Sequence, residues 1–210
     1  MTKLLFATTN KGKLAELRGL VAGLPLQILS LKDVEAVEVV EDGATLEANA
    51  VKKARTYCER TRLVALADDT GLCVDALGGA PGVYSARYAG VEEGPVLGDA
   101  QARYAANNAK LLRELSGVAL EERGAEFRCA ICLAVPGTEE VVVQGVCRGR
   151  IGFEAKGEHG FGYDPLFELP ERGRTLAELT PEEKNQISHR ARAFQAIRPH
   201  LERLAAMQAE

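Results

Sequence analysis

The chain has 210 residues, enough for one large domain or for two small lobes around a shared core. Its 26 Lys and Arg against 30 Asp and Glu give a formal charge of −4, which excludes a basic nucleic-acid footprint over the whole domain. Because it has six Phe, five Tyr and no Trp, a long platform for nucleic-acid bases is not expected, although one base can still be stacked.

The apolar pattern predicts an α/β chain in which β-α-β pieces precede a long hairpin. Such an order is typical of a mixed sheet with helices packed on it. The predicted strands are Lys3–Thr8, Leu26–Leu29, Leu63–Ala67, Glu126–Val135 and Glu140–Arg150. The predicted helices are Lys11–Val21, Thr45–Arg60, Ala100–Leu115, one that begins at the Thr180–Glu183 capping box, and a C-terminal one that Pro199 kinks or interrupts.

The beginning of the chain predicts a strand and no targeting segment. Its apolar run, Leu4–Ala7, is shorter than the roughly 7–15 residues of a signal-peptide core. No other segment approaches the ~20 apolar residues of a membrane span. We therefore expect a cytoplasmic protein with no membrane partner.

The five cysteines are odd in number and lie in apolar segments, which favours reduced thiols in the core over a disulfide framework. Cys129 and Cys132 have the C-x-x-C spacing of some metal and redox sites. They fall in a predicted strand, however, where residues three apart face opposite sides. The spacing therefore favours structural cysteines.

The segment Thr8–Lys13 lies between the first predicted strand and the first predicted helix. Backbone N–H groups at a helix start, hydroxyl groups and two lysines form an anion site. It is not a P-loop, because Ala7 stands in place of the first glycine and Leu14 in place of Ser or Thr. A phosphate site and a plain helix cap with solvated lysines are both compatible with this pattern.

Asp68 and Asp69 follow a predicted buried strand, where two adjacent carboxylates repel each other unless cations or donors hold them. Oxygen ligands beside a phosphate site indicate Mg²⁺, whereas the alternative is a solvated turn. The tripeptide Asp69-Thr70-Gly71 also occurs in aspartic proteases, but those need two facing copies and this chain has one.

Two later segments are candidates for binding a base. In Gly157–Pro165, Phe161 could stack on the base while Asp164 accepts a hydrogen bond from its edge, or the segment could be a glycine-rich turn with its aromatic residues in the core. Lys184 and the run Ser188–Arg190 could bind a phosphate or a carbonyl edge, or form a solvated helix face.

Together these segments resemble the inosine triphosphate pyrophosphatase family, also called XTP/dITP diphosphatases. The resemblance runs in order over nearly the whole chain, and six motifs in register make it specific. Thr9 and Thr70 depart mildly from the small residues, such as Gly and Ser, that are frequent in relatives. The motifs are Ala7–Lys13, Glu47–Ala50 with Lys53-Ala54, Ala67–Leu72, Gly78–Tyr88, Gly160–Pro165 and Glu183–Arg190.

The resemblance implies two lobes around a long mixed β-sheet, with the site between them. It implies Mg²⁺-dependent hydrolysis of deaminated purine nucleoside triphosphates (dITP, ITP, XTP) to the nucleoside monophosphate and pyrophosphate. Such an activity cleanses the nucleotide pool and prevents incorporation of these nucleotides into DNA and RNA. It also implies a homodimer and no nucleic-acid polymer as partner.

The same resemblance assigns roles to individual residues. The phosphates are held by Thr8, Thr9, Asn10, Lys11, Gly12 and Lys13, and Lys53 neutralises the triphosphate. Asp69 is the general base or a metal ligand, with Glu41 and Asp68 as further candidate metal ligands. The nucleotide is surrounded by Thr70, Phe161, Gly162, Tyr163, Asp164, Lys184, His189 and Arg190, of which the later ones surround the base.

Two other functions are compatible with these motifs. One is a non-catalytic nucleotide-binding or regulatory protein, which would bind ITP and release no pyrophosphate. The other is a related pyrophosphatase that acts on modified pyrimidine or methylated nucleotides. The segments Phe161–Asp164 and Ser188–Arg190 favour a purine with a 6-oxo group.

Overall fold

The structure is a computed structural model that describes residues 2–35, 37–90 and 100–207. In these residues eight strands form one mixed sheet and five α-helices flank it, so the predicted α/β class is confirmed. The strands are β1 (Thr2–Phe6), β2 (Leu26–Ser30), β3 (Val64–Val74), β4 (Pro81–Gly82), β5 (Gly124–Ala134), β6 (Val141–Ile151), β7 (Phe167–Leu169) and β8 (Arg174–Thr175). The helices are α1 (Lys11–Leu20), α2 (Leu46–Thr61), α3 (Ala100–Glu114), α4 (Pro181–Ile187) and α5 (His189–Met207).

The strand order in the sheet is β2-β1-β3-β5-β6-β7-β8, with β4 paired to β3. β1 is parallel to both β2 and β3, whereas β4, β7 and β8 join their neighbours antiparallel. Parallel strands need helical crossovers, which α1 and α2 supply. β4, β7 and β8 have two or three residues each, too few for an alternating pattern, and the sequence did not predict them.

The third strand is longer than predicted. The sequence places its end at Ala67, but β3 continues through Asp68 and Asp69 to Val74. The prediction was wrong because two acidic residues followed by Thr-Gly are typical of a turn. Pairing of β3 with β1 does end near this point, since the last paired residues are Phe6 and Leu66. The two aspartates therefore lie inside a strand, just beyond the end of its parallel neighbour.

The helix boundaries follow from capping side chains. Thr45 is the N-cap of α2 as predicted, because its Oγ1 accepts a hydrogen bond from the Ala48 N–H at 3.1 Å. The capping box at α4 is also confirmed: Thr180 and Glu183 each accept a hydrogen bond from the other's backbone N–H. Pro199 does not interrupt α5, which runs through it.

The chain divides into two compact units, each with its own core. The first comprises Met1–Asp69, Cys129–Gly145 and Ser188–Glu210, and the second Thr70–Arg128 and Val146–Ile187. Each core is a cluster of buried apolar side chains. The first cluster includes Phe6, Leu17, Leu66, Ile131 and Phe194, and the second includes Leu72, Leu111, Phe127, Ile151 and Phe167.

No helix among the described residues is both long enough and apolar enough to cross a membrane.

Candidate active site

The loop from β1 to α1 carries the predicted phosphate segment. Asn10 is the N-cap of α1: its Oδ1 accepts a hydrogen bond from the Lys13 N–H at 3.1 Å. The Thr8 Oγ1 accepts one from the Asn10 N–H at 3.2 Å. The Lys13 ammonium lies 3.1 Å from Asp68 Oδ2. The predicted helix start is confirmed, and the loop brings a lysine to the aspartate pair; phosphate binding stays a prediction.

Asp68 is the centre of a buried ion network in the first unit. Besides Lys13, its Oδ2 contacts the Arg190 Nε at 3.2 Å, and the Cys129 thiol donates to it at 3.9 Å. The Arg190 guanidinium also contacts the Glu16 carboxylate. Both Asp68 and Arg190 are about 1–2% exposed, so the pair is shielded from water.

The charges of this network fix the ionisation of Asp68. Burial by itself would raise the pKa of Asp68, but the charges of Lys13 and Arg190 outweigh it and hold the pKa well below its ordinary value. Burial by itself would lower the pKa of Arg190, but the charges of Glu16 and Asp68 outweigh it and raise the pKa above its usual range. Asp68 is therefore a permanently ionised partner of cations and a poor proton acceptor.

Asp69 has a different environment, although it is the next residue. Its Oδ2 accepts a hydrogen bond from Asn49 Nδ2 at 2.9 Å, and its Oδ1 lies 3.9 Å from the Lys53 ammonium. Burial raises the pKa of Asp69, and the charges of Lys53 and Lys13 offset this only in part. A carboxylate with a raised pKa is suited to accept a proton near neutral pH.

The segment before α2 adds a second carboxylate beside Lys53. Glu41 Oε2 lies 3.0 Å from the Lys53 ammonium. Burial lowers the pKa of Lys53, but Asp69 and Glu41 outweigh it and raise the pKa above its usual value. The segment is held by the Gly43 N–H, which donates to Asn49 Oδ1 at 2.8 Å. A Cβ at Gly43 would lie 2.6 Å from that oxygen, so the close approach requires glycine.

The donor chemistry of Glu41 and Asp69 fits Mg²⁺. This ion is usually bound by one or two carboxylates, with water and substrate phosphates completing its coordination. Within the described ranges, no group of three or more His, Cys, Asp or Glu residues is placed to hold a metal ion. The role of Asp68 as a third metal ligand stays a prediction, and its contacts with Lys13 and Arg190 argue against that role.

The start of α5 brings His189 and Arg190 into the first unit. Gly145 in β6 allows the close approach, because a Cβ there would lie 2.1 Å from the His189 carbonyl oxygen. Both side chains are buried. Contact of either residue with the base stays a prediction; Arg190 is bound to the Asp68 and Glu16 carboxylates.

In the second unit the structure brings Phe161, Asp164 and Lys184 together. Asp164 Oδ2 accepts hydrogen bonds from the Lys184 ammonium at 2.7 Å and from the Phe161 N–H at 2.8 Å. The ammonium lies 5.0 Å from the centre of the Phe161 ring. Gly160 has a φ of +76°, and a Cβ there would lie 2.2 Å from Asp164 Oδ2. Glycine is therefore required for this loop to wrap around the carboxylate.

The other predicted residues of the second unit differ in exposure. Tyr163 belongs to the core, where its hydroxyl donates to the Ser85 carbonyl at 2.8 Å. Phe161 is half-buried, with its ring centre 6.2 Å from that of Tyr104 in α3. Thr70, in β3, is half-buried as well. Tyr163 therefore has the core position that was the alternative to base binding, whereas Phe161 is only half-buried.

Sequence reasoning missed Asn49 and Glu16, which position other site residues. Asn49 is 1% exposed and lies four residues before Lys53, on the same face of α2 as Ala50 and Ala54. A polar side chain on an otherwise apolar helix face is the signal that could have identified it, because such a group needs a buried partner. Glu16 gave no such signal, since its partner Arg190 is far along the chain.

None of the five cysteines forms a disulfide among the described residues; four of them are buried and Cys73 is half-buried. Cys129 and Cys132 are buried in β5, so the predicted strand position of this pair is confirmed. Burial raises the pKa of Cys132 to about 12, so its thiol stays protonated.

Comparisons with known proteins agree with the motif pattern. Residues 4–200 match the model of the Ham1 family. A dITP/XTP pyrophosphatase of Anaeromyxobacter sp. (strain Fw109-5) is 52% identical, with 96% of this chain and 97% of that protein covered. The Staphylococcus aureus Ham1 structure is similar with a TM-score of 0.81 and 35% identity, over 96% of this chain and 98% of that one. A nucleoside-triphosphatase, dITP/XTP pyrophosphatase, from Mycobacterium abscessus has a TM-score of 0.72 and 48% identity, over 93% and 98%.

Proposed function

The chain belongs to the Ham1 family, and from this membership we propose that it hydrolyses deaminated purine nucleoside triphosphates, dITP, ITP and XTP, to the monophosphate and pyrophosphate. The observation that carries the proposal is the pair of aspartates in β3, which have different partners: Asp68 contacts Lys13 and Arg190, and Asp69 contacts Asn49 and Lys53. The Asp68 carboxylate contacts the Lys13 ammonium, and the Asp69 carboxylate lies next to the Lys53 ammonium. A base next to fixed cations is what hydrolysis of a phosphoanhydride requires.

The reaction follows from these groups. A water oxygen forms a bond to the α-phosphorus while the bond from that phosphorus to the bridging oxygen breaks, and pyrophosphate leaves with the bonding electrons. Asp69, whose carboxylate lies beside the Lys53 ammonium, accepts the proton of the attacking water. The ammonium groups of Lys13 and Lys53 balance the negative charge of the triphosphate and of the departing pyrophosphate.

We include Mg²⁺ in the proposal, with Glu41 and Asp69 as its protein ligands. When bound, it would neutralise phosphate oxygens and polarise the anhydride bond. The support is that both carboxylates contact one side chain, Lys53, and therefore lie in the same part of the site. Phosphates that enter beside Lys53 would complete the coordination.

Base selection is proposed for the cluster in the second unit. A 6-oxopurine offers a carbonyl acceptor and an N1–H donor, whereas adenine offers an amino donor and an N1 acceptor. The Lys184 ammonium can donate and the Asp164 carboxylate can accept, so an oxopurine is matched and adenine leaves both groups mispaired. Phe161 supplies a ring face for stacking, next to the same ammonium.

We further propose that all six motifs serve one nucleotide substrate, as the family resemblance implies. The same resemblance supports a cytoplasmic homodimer that cleanses the nucleotide pool. Light scattering after size-exclusion chromatography tests the dimer, and a monomeric mass would contradict it.

A panel of nucleoside triphosphates with Mg²⁺, scored separately for pyrophosphate and orthophosphate, tests the activity. We expect pyrophosphate as the first product, with ITP, dITP and XTP preferred over ATP, GTP and pyrimidine nucleotides. Orthophosphate as the first product would contradict attack on the α-phosphorus. Binding of ITP without turnover would indicate a nucleotide-binding protein, and preference for a modified pyrimidine or methylated nucleotide would indicate the related pyrophosphatase.

A further inference from the structure

The loop Gly160–Asp164 is fixed to helix α3 by one side-chain hydrogen bond. Asn108 Nδ2 donates to the Gly162 carbonyl oxygen at 3.0 Å. The Asn108 Oδ1 is buried and accepts no hydrogen bond from any residue that the structure describes. The bond to Gly162 is thus the one hydrogen bond found for this amide among those residues.

The same face of α3 also contacts the aromatic residue of the loop. Tyr104 lies one turn before Asn108, and its ring centre is 6.2 Å from that of Phe161. Within the loop, Gly160 and Gly162 both have positive φ, a conformation that glycine reaches without steric cost. The Phe161 N–H is bound to Asp164 within the loop, and the contacts of Asn108 and Tyr104 add a second support from α3.

We propose that Asn108 is a positioning residue for base recognition, which fixes the Gly162 carbonyl and thereby the orientation of Phe161. The inference rests on the proposed function, because it assigns Asn108 a role in selecting the substrate for that reaction. Asn108 acts through the loop and touches no reacting atom. Loss of the Asn108 side chain weakens recognition of the base and leaves the proposed phosphate-binding residues of the first unit unchanged.

The test compares Asn108→Asp and Asn108→Leu with the wild type, using ITP as substrate and inorganic tripolyphosphate as a competitive inhibitor. Asn108→Asp is nearly isosteric and lacks the donor, and Asn108→Leu lacks every polar atom. Loss of one hydrogen bond predicts a rise of about two- to tenfold in the KM for ITP, with kcat little changed. The inhibition constant of tripolyphosphate, which has no base, should stay at the wild-type value.

Two controls separate positioning from a general structural effect. Asn108→Gln keeps an amide donor and should recover part of the wild-type KM, and Arg113→Ala, an exposed position on the same helix, should leave KM unchanged. An unchanged KM in both Asn108 variants would overturn the inference, as would an equal loss of ITP and tripolyphosphate affinity. Should Asn108→Leu fail to fold, Asn108→Asp carries the comparison.

The wild-type measurement distinguishes this inference from the proposed function. Failure of the wild type to release pyrophosphate from ITP, dITP and XTP would overturn the proposed function, and with it the role of Asn108. Wild-type turnover together with an unchanged KM in the variants would overturn the role of Asn108 alone.

Discussion

Asp68 and Asp69 are consecutive residues of β3 whose carboxyl groups have opposite pKa shifts. The pKa of Asp68 lies below the ordinary value because Lys13 and Arg190 outweigh its burial. The pKa of Asp69 lies above it because burial outweighs Lys53. Two neighbouring carboxylates thus differ in their surroundings: Asp68 contacts two cations, Lys13 and Arg190, and Asp69 is the more basic of the two.

Replacement of Asp69 tests the general base. We expect Asp69→Asn to lower kcat for ITP by about 10²- to 10⁴-fold, since the amide cannot accept the proton of the attacking water. Pyrophosphate release measures the effect, and circular dichroism checks that the fold persists. Asp42→Asn, at an exposed carboxylate that pairs with Lys52, is the matched control and should keep wild-type turnover. Near wild-type turnover of Asp69→Asn would contradict the assignment of Asp69 as the general base.

Replacement of Asp68 tests the buried ion network. Asp68→Asn leaves the Arg190 guanidinium buried with one carboxylate fewer, so we expect the free energy of unfolding at pH 7 to fall by about 3 kcal/mol. Because the folded pKa of Asp68 is lowered, its contribution is present above the unfolded value of about 3.9 and is lost as the pH falls below it. Urea denaturation from pH 7 to pH 3 should show the difference between wild type and variant shrinking with falling pH. A difference that stays constant would contradict the network.

The lysine at the start of α1 provides a third test. We expect Lys13→Ala to raise the KM for ITP or to lower kcat, because one positive charge that faces the triphosphate is lost. Lys3→Ala, an exposed lysine of β1, is the control and should behave as the wild type. An unchanged kcat/KM in Lys13→Ala would remove this residue from the site.

Stacking on Phe161 is tested by Phe161→Ala. Removal of a stacked ring should weaken ITP binding by about tenfold and leave pyrophosphate binding unchanged, since pyrophosphate has no base. Isothermal calorimetry with both ligands measures this. Phe153→Ala is the matched control, because Phe153 is 60% exposed and lies against Arg123. Equal loss for both ligands would contradict stacking.

Metal dependence is tested by chelation and by Glu41→Gln. We expect EDTA to abolish pyrophosphate release and added Mg²⁺ to restore it, because two carboxylates beside a triphosphate favour a hard cation. Glu41→Gln should raise the Mg²⁺ concentration needed for half-maximal rate, since a charged oxygen ligand is replaced by a neutral one. Full activity in EDTA would refute the metal requirement.

The sequence predicted five of the eight strands and the five helices of the described residues in their order, with most of their ends to within two residues, because apolar periodicity and capping side chains are local signals. The family resemblance assigned Phe161, Asp164 and Lys184 to one nucleotide site together with other residues, and these three side chains lie in one cluster. The sequence did not predict that β3 continues through the aspartates. A strand is stabilised by neighbours that are distant in sequence, and local turn propensity gave the opposite answer.

The motifs by themselves determined which family the chain resembles and which residue types its chemistry uses. They could not decide which aspartate is bound by cations and which can accept a proton. Adjacent side chains of a strand face opposite sides, so each meets different partners. Asp68 meets Lys13 from the first turn of α1 and Arg190 from α5, whereas Asp69 meets Asn49 and Lys53 from α2. Only the packing of those helices against the sheet separates the two carboxylates, because burial and charge at each side chain depend on contacts across the fold.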